Sequence, residues 1–186
     1  DANRREGFGR ALRPTDMRRR PDTREFTDLV REHDEGLRAL AYRLLEDRDL
    51  MDDALQEAYV KAYRALPGFR GESSVGTWLY RIAYNACLDE LRRARTVVPL
   101  ERIEERPDPA PPLPERTATG DALARALSTL AHEDRAAVLL VDAQGFDYES
   151  AGEVLGVPAG TVASRLHRAR AELRGVLSDE AQAASA

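Results

Sequence analysis

Toward the C-terminal end of the chain, Thr161, Ser164, Arg165 and Arg168 share one helical face at about 100° per residue, while Val162, Leu166, Ala169 and Leu173 fall in a narrow stripe on another. Hydroxyls and guanidiniums at this spacing suit phosphate oxygens and base edges, because the arginine fork clamps a phosphate or a guanine with two hydrogen bonds. His167, Arg170 and Arg174 extend the positive surface. Immediately upstream, Asp147 is a good N-cap for a helix over Tyr148 to Leu155. Gly156-Val157-Pro158 then supplies a residue tolerant of left-handed backbone and a proline that stops a helix, so the next helix starts near Pro158. Helix, tight turn and helix in this order form a helix-turn-helix, which lays its second helix in the major groove of duplex DNA. An ordinary amphipathic helix with a solvated arginine face accounts for the same periodicity, since arginine is a good helix former.

Two further clusters stand earlier in the chain. Phe69, Arg70, Ser73 and Ser74 are the types that hold an unstacked base, with a ring or guanidinium plane to stack on and hydroxyls to bond its edge. They are followed by a helical stretch, Thr77 to Arg95, whose apolar face is Leu79, Ile82, Ala83 and Ala86 and whose polar face carries Trp78, Arg81, Asn85, Asp89 and Arg92. Trp78 is expected to be a core anchor. Arg92, Arg93 and Arg95 close the helix with cations, and the helix dipole explains them without DNA. The other cluster is acidic: Asp52, Asp53, Gln56 and Glu57 stand opposite Leu55, Ala58, Tyr59 and Ala62. Paired carboxylates can do acid–base or metal chemistry, but these lack histidine partners and a glycine-rich phosphate loop, so a solvated or partner-binding face is expected. No nucleophile–base pair or metal cluster emerges; an enzyme is the least favoured class, and no catalytic residue, metal or cofactor is expected.

The elements that must position these groups are helical. The chain of 186 residues is 33% charged and only 6% aromatic, a mixture typical of helical proteins rich in Ala, Leu, Arg and Glu. Phe26, Leu29, Val30, Leu37, Leu40, Ala41, Leu44 and Leu45 recur at helical intervals, and Pro67-Gly68 and Gly71 to Gly76 mark a loop between a helix near Asp52 to Leu66 and one near Thr77 to Arg95. The expected fold is all-α: a flexible basic arm over 1–21, a helical domain over 22–95, an extended acidic, Pro-rich linker over 96–117, a second helical domain with the helix-turn-helix over 118–177, and a frayed tail over 178–186. Cys87 is the only cysteine, so no intrachain disulfide is possible and a reducing, cytoplasmic compartment fits best. No stretch approaches the ~18–20 apolar residues of a membrane span, and the Arg-rich start lacks an apolar h-region. The net charge of −5 counts against nucleic acid, since neutralising phosphates is the main source of affinity there. Its distribution counts for it: the acids gather at Asp52 to Glu57 and in the linker.

Together the motifs resemble the extracytoplasmic-function (ECF, group 4) bacterial sigma factors of the sigma-70 superfamily, over roughly Asp22 to Leu177. DDALQEAYVKAYRAL is similar to the family's polymerase-binding helix, GTWLYRIAYNACLDELRRAR to its promoter-melting helix, and YESAGEVLGVPAGTVASRLHRARAELR to its minus-35 recognition motif. The resemblance implies that Asp52, Asp53, Gln56 and Glu57 dock on the β′ clamp helices of core RNA polymerase, with the β flap as a further contact. It implies that Asn85, Asp89 and Arg92, beside Arg81 and the loop Phe69, Arg70, Ser73 and Ser74, open and recognise the minus-10 element. Thr161, Ser164, Arg165, His167 and Arg168 would meet the minus-35 element, and an anti-sigma factor would restrain the whole. Two departures stand out: Ala163 lies where relatives often carry Lys or Arg, which leaves the minus-35 preference open, and Tyr84 replaces a commonly basic residue beside the minus-10 element. The alternative is a stand-alone LuxR-like regulator that binds operator DNA through the C-terminal motif without polymerase.

Overall fold

The computed structural model describes residues 23–96 and 118–183; the expected basic arm, nearly all of the acidic linker and the last three residues lie outside them. The described residues are helical: α1 (Thr23–Leu45), α2 (Arg48–Ala65), α3 (Val75–Thr96), α4 (Ala118–Thr129), α5 (His132–Val138), α6 (Tyr148–Leu155) and α7 (Ala159–Ala183). Short 3₁₀ and π turns cover Leu66–Gly68 and Leu139–Ala143.

α1, α2 and α3 form the first unit. Asp47 starts α2 by accepting the Leu50 N–H at 2.9 Å, and Ser74 starts α3 by accepting the Thr77 N–H at 2.9 Å. The buried face of α2 carries Ala54, Ala58 and Ala62 at intervals of one turn, so α1 and α3 can approach closely and seat Leu37, Leu40, Leu44 and Leu79 around them. The second unit wraps α4, α5 and α6 around α7, whose Val162, Leu166, Ala169 and Leu173 are buried as their spacing predicts. α7 continues through Ala183, past Leu177, where the chain was expected to fray; Glu180, Ala181 and Gln182 are good helix formers.

The two units share one core. After α5 the backbone opens into a wide turn, with the Gln144 N–H on the Leu139 carbonyl and the Phe146 N–H on the Leu140 carbonyl, both at 3.0 Å. This delivers Gln144 and Phe146 to α3. Tyr80 donates to Gln144 Oε1 at 3.0 Å and meets Phe146 edge to face at 5.0 Å. A Cβ at Gly36 would fall on the Tyr80 hydroxyl, so α1 needs glycine at this crossing. Arg135, only 4% exposed, donates to the Ser128 carbonyl at 2.7 Å within its own unit, and to the Arg43 carbonyl at 2.9 Å and the Glu46 carboxylate in the other. It thereby satisfies carbonyls at the C-terminal ends of both α1 and α4.

Candidate nucleic-acid and polymerase interfaces

A cavity of about 380 Å³ opens where the turn after α2 leads into α3. Phe69, Arg70, Ser73 and Arg81, four of the residues expected at the minus-10 element, line it. Trp78, expected in the core, only half meets that expectation: it packs on the core but also faces the cavity, with its ring 5.2 Å from that of Phe69. An aromatic pair, two guanidiniums and a hydroxyl around an open space match the demands of a single unstacked base. Glu153 of α6 closes one side. Ser74 plays a different part from Ser73, because its hydroxyl caps α3 and pairs with Thr77 Oγ1 at 2.8 Å. Along α3, Arg81 and Asn85 are exposed, and Asn85 Nδ2 donates to the Arg81 carbonyl at 2.9 Å. Asp89 bridges Arg92 at 2.7 Å and Lys61 at 3.6 Å. Tyr84 is buried at 4% exposure, which pushes its hydroxyl pKa up and keeps it from the polar face of α3.

On α2 the expected acidic stripe is unequally committed: Asp52, Asp53 and Gln56 are exposed and Glu57 is half-buried. Arg38 donates to Asp52 at 2.8 Å, and Glu57 is held by Lys61 at 2.8 Å and Arg93 at 3.3 Å. The Lys61 hydrogen bond holds the Glu57 carboxyl below its ordinary pKa. Asp53 and Gln56 lie exposed between these pairs. The same face continues into two exposed apolar side chains, Val60 (43%) and Tyr63 (42%). Sequence periodicity gave no warning of them, since apolar residues at helical spacing ordinarily point inward.

In the second unit, α6 and α7 form the helix-turn-helix. Asp147 caps α6 at 2.7 Å, and Gly156 ends it with φ 68° and ψ 33°. Among the residues expected at the minus-35 element, Ser164 and His167 are exposed, while Thr161 and Arg165 are half-buried. Ser164 Oγ donates to the Thr161 carbonyl at 2.9 Å. Arg168 grips Asp134 of α5 through two hydrogen bonds, at 2.7 and 2.6 Å, and Arg170 grips Asp142 in the same way. Each aspartate raises the pKa of its arginine by hydrogen bonding. Arg168 thus has a structural partner as well as an exposed position, whereas the sequence suggested only the latter.

These features define an all-helical protein of two units, the second built on a helix-turn-helix. The model of Sigma-70 region 2 matches residues 29–97, and that of Sigma-70, region 4 matches residues 120–173. The ECF RNA polymerase sigma factor SigM of Mycobacterium tuberculosis (strain ATCC 25618 / H37Rv) is 42% identical over 161 residues, covering 84% of this chain and 79% of the relative. The ECF RNA polymerase sigma-E factor of Escherichia coli (strain K12) is 33% identical over 162 residues, covering 80% of this chain and 84% of the relative. Among solved structures, the Bartonella quintana sigma factor RpoE bound to the anti-sigma factor NepR aligns with TM-score 0.68 and 29% identity, over 84% of this chain and 98% of that one. CnrH in complex with the cytosolic domain of CnrY aligns with TM-score 0.67 and 25% identity, over 89% of this chain and 95% of that one. The chain belongs to the ECF RNA polymerase sigma factors of the sigma-70 family. Its function is that of the family: to bind core polymerase and direct initiation at particular promoters. A LuxR-like regulator would have no use for region 2. Among the described residues no helix is long and apolar enough to cross a membrane.

Proposed function

We propose that the three surfaces divide the work of initiation. The α2 face centred on Asp53 and Gln56, with Val60 and Tyr63 beside them, docks on the β′ clamp helices; the second unit meets the β flap. Carboxylates provide complementarity to basic helices, and exposed apolar side chains supply area to bury. The cavity between Phe69 and Trp78 captures an unstacked base of the minus-10 element, with Arg81, Asn85, Asp89 and Arg92 along the adjoining strand path. The exposed face of α7 meets the minus-35 element through Thr161, Ser164, Arg165, His167 and Arg168. The chain acts in the cytoplasm as a group 4 factor and is held inactive by an anti-sigma factor, in keeping with the complexes in which both structural neighbours were solved.

The observation that carries this division is the convergence of Phe69, Arg70, Ser73, Trp78 and Arg81 on one cavity. The test is permanganate reactivity of minus-10 thymines with reconstituted holoenzyme. Phe69→Ala is expected to lower melting about tenfold, the scale of one lost base–aromatic stack. Core binding should remain intact. Unchanged melting would remove the base-capture role.

A further inference from the structure

A second cavity, of about 490 Å³, lies between the N-terminal ends of α6 and α7. Its walls are Phe146, Tyr148, Ala159, Gly160 and Ala163. Tyr148 is 40% exposed, and Ala163 is half-buried in the first turns of α7. In a helix-turn-helix the N-terminal residues of the second helix face base edges in the major groove, so this opening continues the DNA-binding face. Asp147 and Glu149 line it as well. Their carboxylates repel phosphate and leave a neutral base edge as the fitting occupant. Among base edges in the major groove, the one apolar mark is the C5-methyl of thymine, and alanine is a side chain that contacts it. A Lys or Arg at 163 would instead offer donors to guanine.

We infer that α7 selects a thymine in the minus-35 element by its methyl group, through the apolar pocket formed by Tyr148, Gly160 and Ala163. This specificity rests on the assignment of α7 to the minus-35 element. Gly160 is informative because a Cβ built on it meets open space, so a side chain there fills the pocket without displacing the core.

The test uses holoenzyme made from core polymerase and the full chain. The preferred minus-35 sequence is first selected from a randomised promoter library. Each thymine in it is then replaced by deoxyuridine, which removes the methyl and nothing else. One position is expected to lose about fourfold in promoter affinity, the equivalent of ~0.8 kcal/mol for one buried methyl-sized group. Gly160→Val should erase that loss, and Ala163→Arg should shift the selected base at the position from thymine to guanine. A flat minus-35 profile would overturn the assignment of α7 and the pocket together. A sharp profile with no thymine, with no deoxyuridine effect, or with an effect that persists in Gly160→Val would overturn the pocket alone.

Discussion

Arg168 belongs to two networks, and the two can be separated. Asp134 is only 4% exposed, and both of its oxygens are held by the Arg168 guanidinium. Removing the cation leaves a buried carboxylate without its partner, which destabilises more than loss of a surface pair would. Arg168→Ala is therefore expected to lower Tm and to weaken minus-35 binding about tenfold. The double variant Arg168→Ala/Asp134→Ala should recover Tm but not affinity; recovery of both would make the arginine purely structural. A parallel test concerns the exposed apolar residues of α2. Val60 is 43% exposed, so Val60→Ser should change Tm little while reducing affinity for core polymerase by roughly 1–2 kcal/mol, the burial value of the side chain. Undiminished core binding in a competition assay would remove Val60 from the docking face.

The helix-turn-helix depends on how closely its two helices cross. A Cβ at Gly152 would lie 2.6 Å from the Val157 carbonyl oxygen, which is backbone and cannot swing aside. Gly152→Val is expected to cost about 1–3 kcal/mol in urea unfolding, and a neutral result would mean that the α6–α7 turn yields more easily than its geometry suggests. At this scale much was legible in the sequence. Asp147 and Gly156 bounded α6 because caps and left-handed residues are local signals, and the stripe of Val162, Leu166, Ala169 and Leu173 fixed the buried face of α7. What escaped depended on space rather than spacing. The Ser74 hydroxyl gave no sign that it also caps α3, Trp78 gave no sign of its double allegiance, and the exposure of Val60 and Tyr63 is decided by which residues α1 and α3 leave uncovered. Arg135 finds its partners Arg43 and Glu46 across 92 and 89 residues of chain, beyond any periodicity.

At the scale of the molecule, the two units are joined by a small set of polar contacts over an aromatic seam, and the seam contains a proton-sensitive group. His33 lies beneath Tyr80, ring centroids 6.2 Å apart, and burial pushes its pKa below the ordinary histidine value. The unfolded chain then binds more protons than the folded one between the folded pKa and about 6.5, so stability is full above about pH 6.5 and falls as pH drops through the folded pKa. His33→Gln should flatten that dependence in thermal melts between pH 7 and 5; an unchanged slope would place the effect elsewhere.

The closed arrangement can be loosened at its polar contacts. Tyr80→Phe removes one hydrogen bond to Gln144, about 1 kcal/mol, and Glu46→Ala removes the carboxylate that holds Arg135, without touching any residue assigned to DNA. Together they should shift the free chain toward separated units, seen as a larger radius of gyration in solution scattering. Because Glu153 of the second unit closes one side of the Phe69–Trp78 cavity, separation also unmasks that cavity. The apparent affinity of the free chain for a single-stranded minus-10 oligonucleotide should rise with the open fraction, since binding is reduced in proportion to the population that cannot accept the ligand. If core polymerase separates the units, the same variant should bind the oligonucleotide in holoenzyme as the wild type does. Equal radii for the two free chains would mean that the seam is stronger than these two contacts. A larger radius without tighter binding would mean that Glu153 does not obstruct the base.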